Sequence, residues 1–377
     1  ARHHSARLCR GRRRHGVQVV SAYRRATVAE VRPWGAGISE AELEFDDGPA
    51  GKAIVLESLV GPVGVGDAVV ANTTAVDLEL GSGGYHFVLW NLSRGVLDTG
   101  GAGHIMKLRY TPLQFNVEAA EESLADLEGK DLSSVLGGMP VIAGSLHSQL
   151  LPAALAYREA SPGGRLAYVM TDGASLPAAF SHTVRFLKEN GYIASVITSG
   201  NAFGGDLEAV TAHGALIAAR RLVSADAAIT VMGPGIVGTG SAVGFTGIEQ
   251  GIMVNAASSL GGLPIAIPRI TFADPRDRHR GLSHHTVSAL TYGACTRAII
   301  AMPAMEGERR RVVSRQIEES GLERLHEVRE VDAGVISRLL EGCEFKPTVM
   351  GRGFDEEPEF FMAAAAAALI AAGQGGG

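Results

Sequence analysis

Cysteine and aromatic residues are scarce in this 377-residue chain, and no apolar run approaches the length of a membrane span. Three cysteines, Cys9, Cys295 and Cys343, stand far apart in no CxxC spacing. That excludes a disulfide framework and a structural zinc finger, and suits a reducing compartment. Cys295 opens the apolar run CTRAIIAMP and reads as a core residue, a catalytic thiol being the alternative. The alanine-rich stretch from Phe360 to Ala372 has 13 residues, too few to cross a bilayer, which takes about 18–20. There is no HExxH or other fixed metal-ligand spacing. Basic character is also lacking: 34 Lys and Arg against 40 Asp and Glu give a net charge of −6, which argues against a nucleic-acid binder.

What is present is a 46% hydrophobic chain with 49 glycines, long enough for two domains and too apolar for general disorder. Six arginines and no acid fall in the first 15 residues, leaving 28 basic against 40 acidic residues in the remainder, or −12. A nucleic-acid arm, a targeting peptide and an extension outside the fold all fit such a start. Residues 1–16 are taken here as a disordered Arg-rich tail.

Residues 17–112 read as a small antiparallel β-barrel-like domain. YRRATVAEVRP, EAELEFDD and GKAIVLES are strand-like, and Gly-rich turns recur about every ten residues. GGAGHIMKLRYTPLQ closes that region, and 113–139 form an acidic, helical connector. Over 140–305 the rhythm changes to apolar runs (PVIAGSL, RLAYVMT, YIASVITS, AAITVM, LPIAIPRITF, RAIIAMP) alternating with helical ones. Strands buried on both faces, each followed by a helix, predict an α/β fold: a mostly parallel sheet of six strands with helices on both faces. Residues 306–377 follow as a helical extension, with HEVREVD as an optional extra strand. The last helix starts near Pro358, and its six alanines favour close packing on the α/β domain or on a second subunit.

Ligands of an open parallel sheet bind beyond the carboxyl ends of its strands. Those exits carry Ser145–Gln149, Thr171–Gly173, Ser199–Asn201, the glycine loop 233–240 and the segment ADPRDRHRGLSHH. His147 follows a buried strand and opens a helix, where a neutral imidazole is favoured for use as a base or ligand; hydrogen bonding to a neighbouring loop is the alternative. Asp172 holds the equivalent place one strand along, either in chemistry or as a helix cap. GPGIVG fits G-x-G-x-x-G, but Pro234 intrudes and no acid follows about 20 residues on, so a hydride-transferring NAD(P) site is disfavoured. Gly233, Gly235, Gly238, Thr239 and Gly240 are instead assigned to an anion such as phosphate, against the alternative of a plain tight turn.

ADPRDRHRGLSHH brings Asp274, Asp277, three arginines and His279, His284 and His285 into twelve residues. Histidine and aspartate can ligate a divalent metal. Alternatively, Arg276, Arg278 and Arg280 clamp an anion while the histidines transfer protons. A solvated loop before a helix capped by Ser283 is the bland reading. Weaker candidates are Glu249 near the start of the helix after the glycine loop, His182, Asp206, and His86 and His104 if the β domain leans over the site.

NTTAVDLELGSGGYHFV, GHIMKLRYTPLQ, SLHSQL, YVMTDGASLP, GNAFGGD, MGPGIVGTGSAVGFTGIEQG and RITFADPRDRHRGLSHHT together resemble the bacterial family grouped as domain of unknown function 3866. The likeness runs from about Val17 to the end. It implies a bacterial cytoplasmic protein and brings no catalytic residues with it. From the residues, the expected function is that of an enzyme, a hydrolase or group transferase for a small anionic or phosphorylated molecule. His147, Asp172, His279, His284 and His285 would be catalytic, with a divalent metal or a phosphate-containing ligand as cofactor. A non-catalytic metabolite-binding or regulatory protein is the rival. The partners expected are a small-molecule ligand and further copies of the chain, with no membrane and no nucleic acid.

Overall fold

The computed structural model describes residues 21–374 apart from Ala36 and Thr99; the Arg-rich start lies outside the described residues. The chain divides into two units, at Gly101 and Ala102.

The first unit is a closed five-stranded barrel. Its strands are β1 (Tyr23–Gly35), β2 (Ile38–Phe45), β3 (Gly51–Leu56), β4 (Ala68–Asn72) and β5 (His86–Asn91), with one-turn helices α1 (Glu57–Val60) and α2 (Thr74–Asp77) in the connections. The order around the barrel is β1-β2-β3-β5-β4. The alternation visible in AELEF is real: Ala41 and Leu43 face the core while Glu42 and Glu44 face solvent, as a half-buried strand requires. One pairing departs from the antiparallel expectation. β3 and β5 run parallel, because the chain leaves the barrel after β3 and returns through β4 before closing it.

The second unit opens with a hairpin of β6 (Ile105–Lys107) and β7 (Phe115–Val117), and this corrects the reading that GGAGHIMKLRYTPLQ closes the β domain. Lys107 is buried, and its ammonium donates to Thr198 O at 3.1 Å, to Ala202 O and to Glu208 Oε2. Lysine is seldom buried without a partner, so nothing local signals this anchoring. The connector that follows holds β7 and a short 3₁₀ stretch over Ala120–Leu127, with no α-helix among its described residues.

The principal sheet is parallel and eight-stranded. It consists of β8 (Pro140–Ala143), β9 (Leu166–Thr171), β10 (Ser195–Ser199), β11 (Leu207–Ala209), β12 (Ala227–Met232), β13 (Leu263–Ala266), β16 (Ile299–Pro303) and β17 (Glu327–Val331), in the order β11-β10-β9-β12-β8-β13-β16-β17. A two-stranded ribbon, β14 (Ile270–Thr271) with β15 (Gly281–Leu282), follows β13. The six strands read from sequence form the middle; β11 and β17 extend the edges. β8, β9 and β12 are buried along their whole length, which is why they read as uninterrupted apolar runs.

Helices cover both faces: α3 (Leu150–Ala160), α4 (His182–Glu189), α5 (Ala212–Arg221), α6 (Glu249–Ser259), α7 (His284–Ser288), α8 (Gly307–Ser320), α9 (Leu322–Leu325), α10 (Val335–Glu341) and α11 (Pro358–Gln374). Ser181, Thr211 and Ser283 cap α4, α5 and α7 by accepting backbone N–H groups, satisfying donors that a helix start leaves open. α11 packs against α3, β8 and β16 with Ala363–Ala368 fully buried. Cys343 is buried, whereas Cys295 is exposed and so corrects the core reading. It lies in the loop before β16, its backbone N–H held by Asn255 Oδ1 at 2.7 Å. Among the described residues no helix is long and apolar enough to cross a membrane.

Candidate functional site

The exits of the central strands are knitted to one another at the carboxyl edge of the sheet. Crossovers from β8 and β12 lead to opposite sides, since in the order above β9 lies beyond β12 toward the β11 edge while β13 lies beyond β8 toward the β17 edge. That is the switch point at which such sheets bind ligands. Ser175 N donates to Pro234 O at 2.9 Å, joining the loops after β9 and β12. A Cβ on Gly247 would stand 3.1 Å from Ser145 O, so the segment before α6 lies directly over the end of β8. Several buried polar atoms in this region have no hydrogen-bond partner among the described residues: Ser145 Oγ, Gln149 Nε2, Gln250 Oε1, Arg269 Nε and His284 Nε2. Buried polar groups are nearly always satisfied, so this concentration marks the place where the fold leaves capacity for something else.

His279, His284 and His285 converge there. Ring centroids lie 4.9 Å apart for His279–His284, 4.8 Å for His279–His285 and 4.4 Å for His284–His285. One nitrogen from each ring falls within 4.8 Å of the others. The convergence has a local cause. His279 ends a 3₁₀ turn, β15 brings the chain back along β14, and Ser283 starts α7, so His284 and His285 occupy its first turn. Ser283 Oγ holds both ends of this motif: it is 2.7 Å from His279 Nδ1 and accepts the His285 N–H at 3.2 Å. Phe245 stacks flat on His285, 3.9 Å between centroids and 3° between planes.

Charge around the cluster is positive and organised. Arg269, buried, donates from Nη1 toward His285 Nδ1 at 3.4 Å and from Nη2 to Asp274 Oδ2 at 3.3 Å. Arg276 grips the same carboxylate with Nε at 2.9 Å and Nη2 at 2.7 Å. Those bonds hold the Asp274 carboxyl well below the usual range, while burial lowers Arg269 to about 10. Burial first, and the neighbouring arginines after it, bring His279 to about 3; burial, then His284 and Arg269, does the same for His285. His284 is lowered by burial and by Arg278. All three imidazoles are therefore neutral at physiological pH, with nitrogen lone pairs available.

His147 is elsewhere in the network. A carbonyl oxygen only accepts, so the 3.1 Å contact with Met232 O places the proton on Nδ1 and leaves Nε2 to accept from the Ser181 hydroxyl at 2.6 Å. Contacts connect it to the cluster through Met232: Thr246 Oγ1 meets Met232 Sδ at 3.5 Å, and the adjacent Phe245 covers His285. Burial lowers His147 to about 4. Because this folded-state value lies below the unfolded one near 6.5, the native state binds fewer protons, and stability falls as pH drops from 6.5 toward 4. Relative to His147→Gln, the native chain should lose about 2 kcal/mol more between pH 7 and pH 5 in urea titrations.

Asp172 serves its own loop: Oδ2 accepts the Asn201 N–H at 2.9 Å, and a Cβ on Gly200 would come within 2.3 Å of that oxygen. Glu249, the first residue of α6, accepts from Thr171 Oγ1 and presses on Gly173, where a Cβ would lie 2.4 Å from its Oε2. Burial raises Glu249 to about 7, with nearby Asp172 adding to the shift, so this carboxyl exchanges its proton near neutrality.

The glycine loop folds as a hairpin. Thr246 N donates to Val237 O at 2.9 Å, and Thr239 N to Gly244 O at 2.8 Å. Thr239 Oγ1 and Ser241 Oγ are turned onto the loop's own backbone. Gly233 and Gly238 permit close packing, on Ser175 O and Phe245 respectively. Gly235 and Gly240 adopt φ of 103° and 88°, a conformation that favours glycine. Gly240 faces Arg278, whose Nη1 would lie 2.9 Å from a Cβ there. Arg278 is exposed and has no hydrogen bond or ion pair among the described residues. α6 begins only at Glu249, well past the motif, so the dinucleotide arrangement of turn leading straight into helix is not built.

The other weaker candidates make local contacts of their own. Asp206 pairs with Lys188 and caps Val196 N at 2.9 Å, His104 pairs with Glu122 at 3.2 Å, and His182 sits beside Arg185. His86 is buried in the barrel against Phe45 and Gly51. Phe245, Arg269 and Ser181 were not singled out for these contacts by sequence; only the cap at Ser283 carried a readable signal. A family model described as a protein of unknown function, DUF3866, matches residues 52–368. No curated protein matches.

Proposed function

The chain belongs to the DUF3866 family of proteins of unknown function, and from its own residues we propose an enzyme that hydrolyses, or transfers a group from, a small anionic molecule. The setting proposed is the bacterial cytoplasm. The observation that carries the reading is the gathering of His279, His284 and His285 beside Arg269 and Arg278 at the carboxyl edge of the sheet. Arg278, exposed and without an acidic partner among the described residues, attracts the anion. The histidine cluster addresses the reacting group, and Glu249, poised near neutrality, moves a proton. The Gly240 hairpin gives shape beside Arg278.

The test is a thermal-shift screen of phosphorylated and carboxylated metabolites, followed by product analysis of each stabilising compound. At least one anion should raise the melting temperature by a few degrees and be converted, and Arg278→Ala should abolish the shift. A ligand returned unchanged after long incubation would make the protein a metabolite-binding module. Indifference to every anion would remove the proposal.

A further inference from the structure

We infer that His279, His284 and His285 form a mononuclear centre for a divalent metal of the zinc class, with three imidazole ligands and one position left for water or substrate. The inference deepens the proposed function and rests on the same cluster. Three observations carry it.

The first is convergence. Three nitrogens within 4.8 Å of one another is close to what an ion demands, since tetrahedral ligands at about 2.1 Å stand about 3.4 Å apart. The widest separation needs to shorten by about 1.4 Å. The second is an orphan. His284 Nε2 is buried with no hydrogen-bond partner among the described residues, an arrangement that costs free energy unless a ligand satisfies it. The third is the support around the ligands. His279 Nδ1 is fixed by Ser283 Oγ at 2.7 Å and His285 by the stacked Phe245 ring. For His279 this is the usual arrangement of a histidine ligand, whose second nitrogen is held so that the other is aimed at the metal; for His285 the stack restrains the plane of the ring.

Proton traffic is a poorer use of the cluster. Proton transfer employs one imidazole at a time, whereas one ion engages all three gathered rings together. Imidazole nitrogens select zinc, copper, nickel or iron over magnesium or calcium. Three protein ligands with an open fourth position are the hallmark of a catalytic rather than a structural zinc site. Asp274 is shared between Arg269 and Arg276, one negative charge against two positive, and Arg278 has no ion pair among the described residues. This field favours an anionic fourth ligand, hydroxide or a substrate oxygen, which agrees with the substrate class proposed above.

The experiment uses the full chain, purified without chelator, with metal content by elemental analysis and Co(II) loading followed by visible absorption. Expected are about one equivalent of transition metal per chain and the intense visible bands of four-coordinate cobalt. His279→Ala and His284→Ala should abolish both while the fold, checked by circular dichroism, persists. Ser283→Ala should weaken affinity about 10-fold, and His147→Ala should leave occupancy unchanged. If a histidine variant fails to fold, His284→Gln and the Ser283→Ala affinity decide the matter. Absence of metal from folded native protein, or cobalt bands indifferent to His279→Ala and His284→Ala, overturns the inference. Occupancy is read without substrate. A metal-loaded protein inert toward every anion therefore defeats the proposed function alone, and an active metal-free one defeats this inference alone.

Discussion

Asp274→Asn should cost the α/β unit about 3–5 kcal/mol, the penalty for leaving a buried charge without its partner. The Asp274 side chain is 1% exposed and that of Arg269 is 5% exposed. Arg276 can turn to solvent when the carboxylate is neutralised, since its side chain is 45% exposed; Arg269 cannot. The asparagine also offers an N–H₂ group where Arg269 Nη2 and Arg276 Nη2 now donate. In a unit of this size the melting point should fall by about 10 °C. The difference from native should be constant between pH 7 and pH 4. Asp274 stays ionised there in the fold, its depressed value lying below the unfolded one near 3.9, and the stability it confers is lost only as pH falls below about 4. Adding Arg269→Met should restore most of the loss, because it removes the stranded cation. Asp277→Asn, an exposed change in the same loop, should move stability by less than about 0.5 kcal/mol. Guanidinium unfolding of the three variants beside the native chain decides the point; a loss under about 1 kcal/mol for Asp274→Asn would show that the carboxylate does not balance Arg269.

The same loop shows which parts of this protein can be read from sequence. β8, β9 and β12 were legible because burial on both faces forces continuous apolar runs. β11, β14 and β15 were not, being three residues or fewer and set by tertiary contacts rather than by propensity. The β6–β7 hairpin misled because Lys107 resembles a surface lysine until Glu208 and two carbonyls from a segment about ninety residues later enclose it. For the site, the rule about strand exits points to one edge of the sheet, but it cannot say which exits lean together. His279 meets His284 and His285 because Ser283 lies between them and caps α7, a relation contained within seven residues. His147 and Asp172 occupy equivalent exits yet are drawn to Ser181, Met232 and Asn201. Phe245, forty residues before its partner His285, carried no signal at all.

Gly251→Ala should be a strongly damaging methyl addition outside the cluster, and one that reaches the site. Gly251 lies in α6 where the π turn Ala289–Gly293, continuous with α7, crosses it. A Cβ at 251 would fall 2.3 Å from Ala289 O, 2.4 Å from Gly293 C and 2.5 Å from Ala294 N. All three are backbone atoms, so no side chain can rotate away, and the helices must part by about an ångström. Neighbouring restraints oppose that movement: His326 Nε2 donates to Leu290 O at 2.8 Å, and Asn255 Nδ2 to Gly293 O at 2.9 Å. The expected cost is about 3 kcal/mol or more, at the upper end of overpacking, and a melting point lower by about 6–12 °C. The displacement acts on the site as well. α7 carries His284 and His285, while α6 continues from the segment bearing Phe245, so separating the two helices unstacks Phe245 from His285 and spreads the imidazoles. Metal affinity should therefore drop at least 10-fold in the fraction that remains folded, a loss that Ile252→Ala, an exposed change one residue along the same helix, should not produce. Folded Gly251→Ala protein with native stability would mean that the α6–π turn contact is looser than its backbone geometry indicates. Native stability with weakened metal binding is excluded by the argument, because one displacement causes both effects.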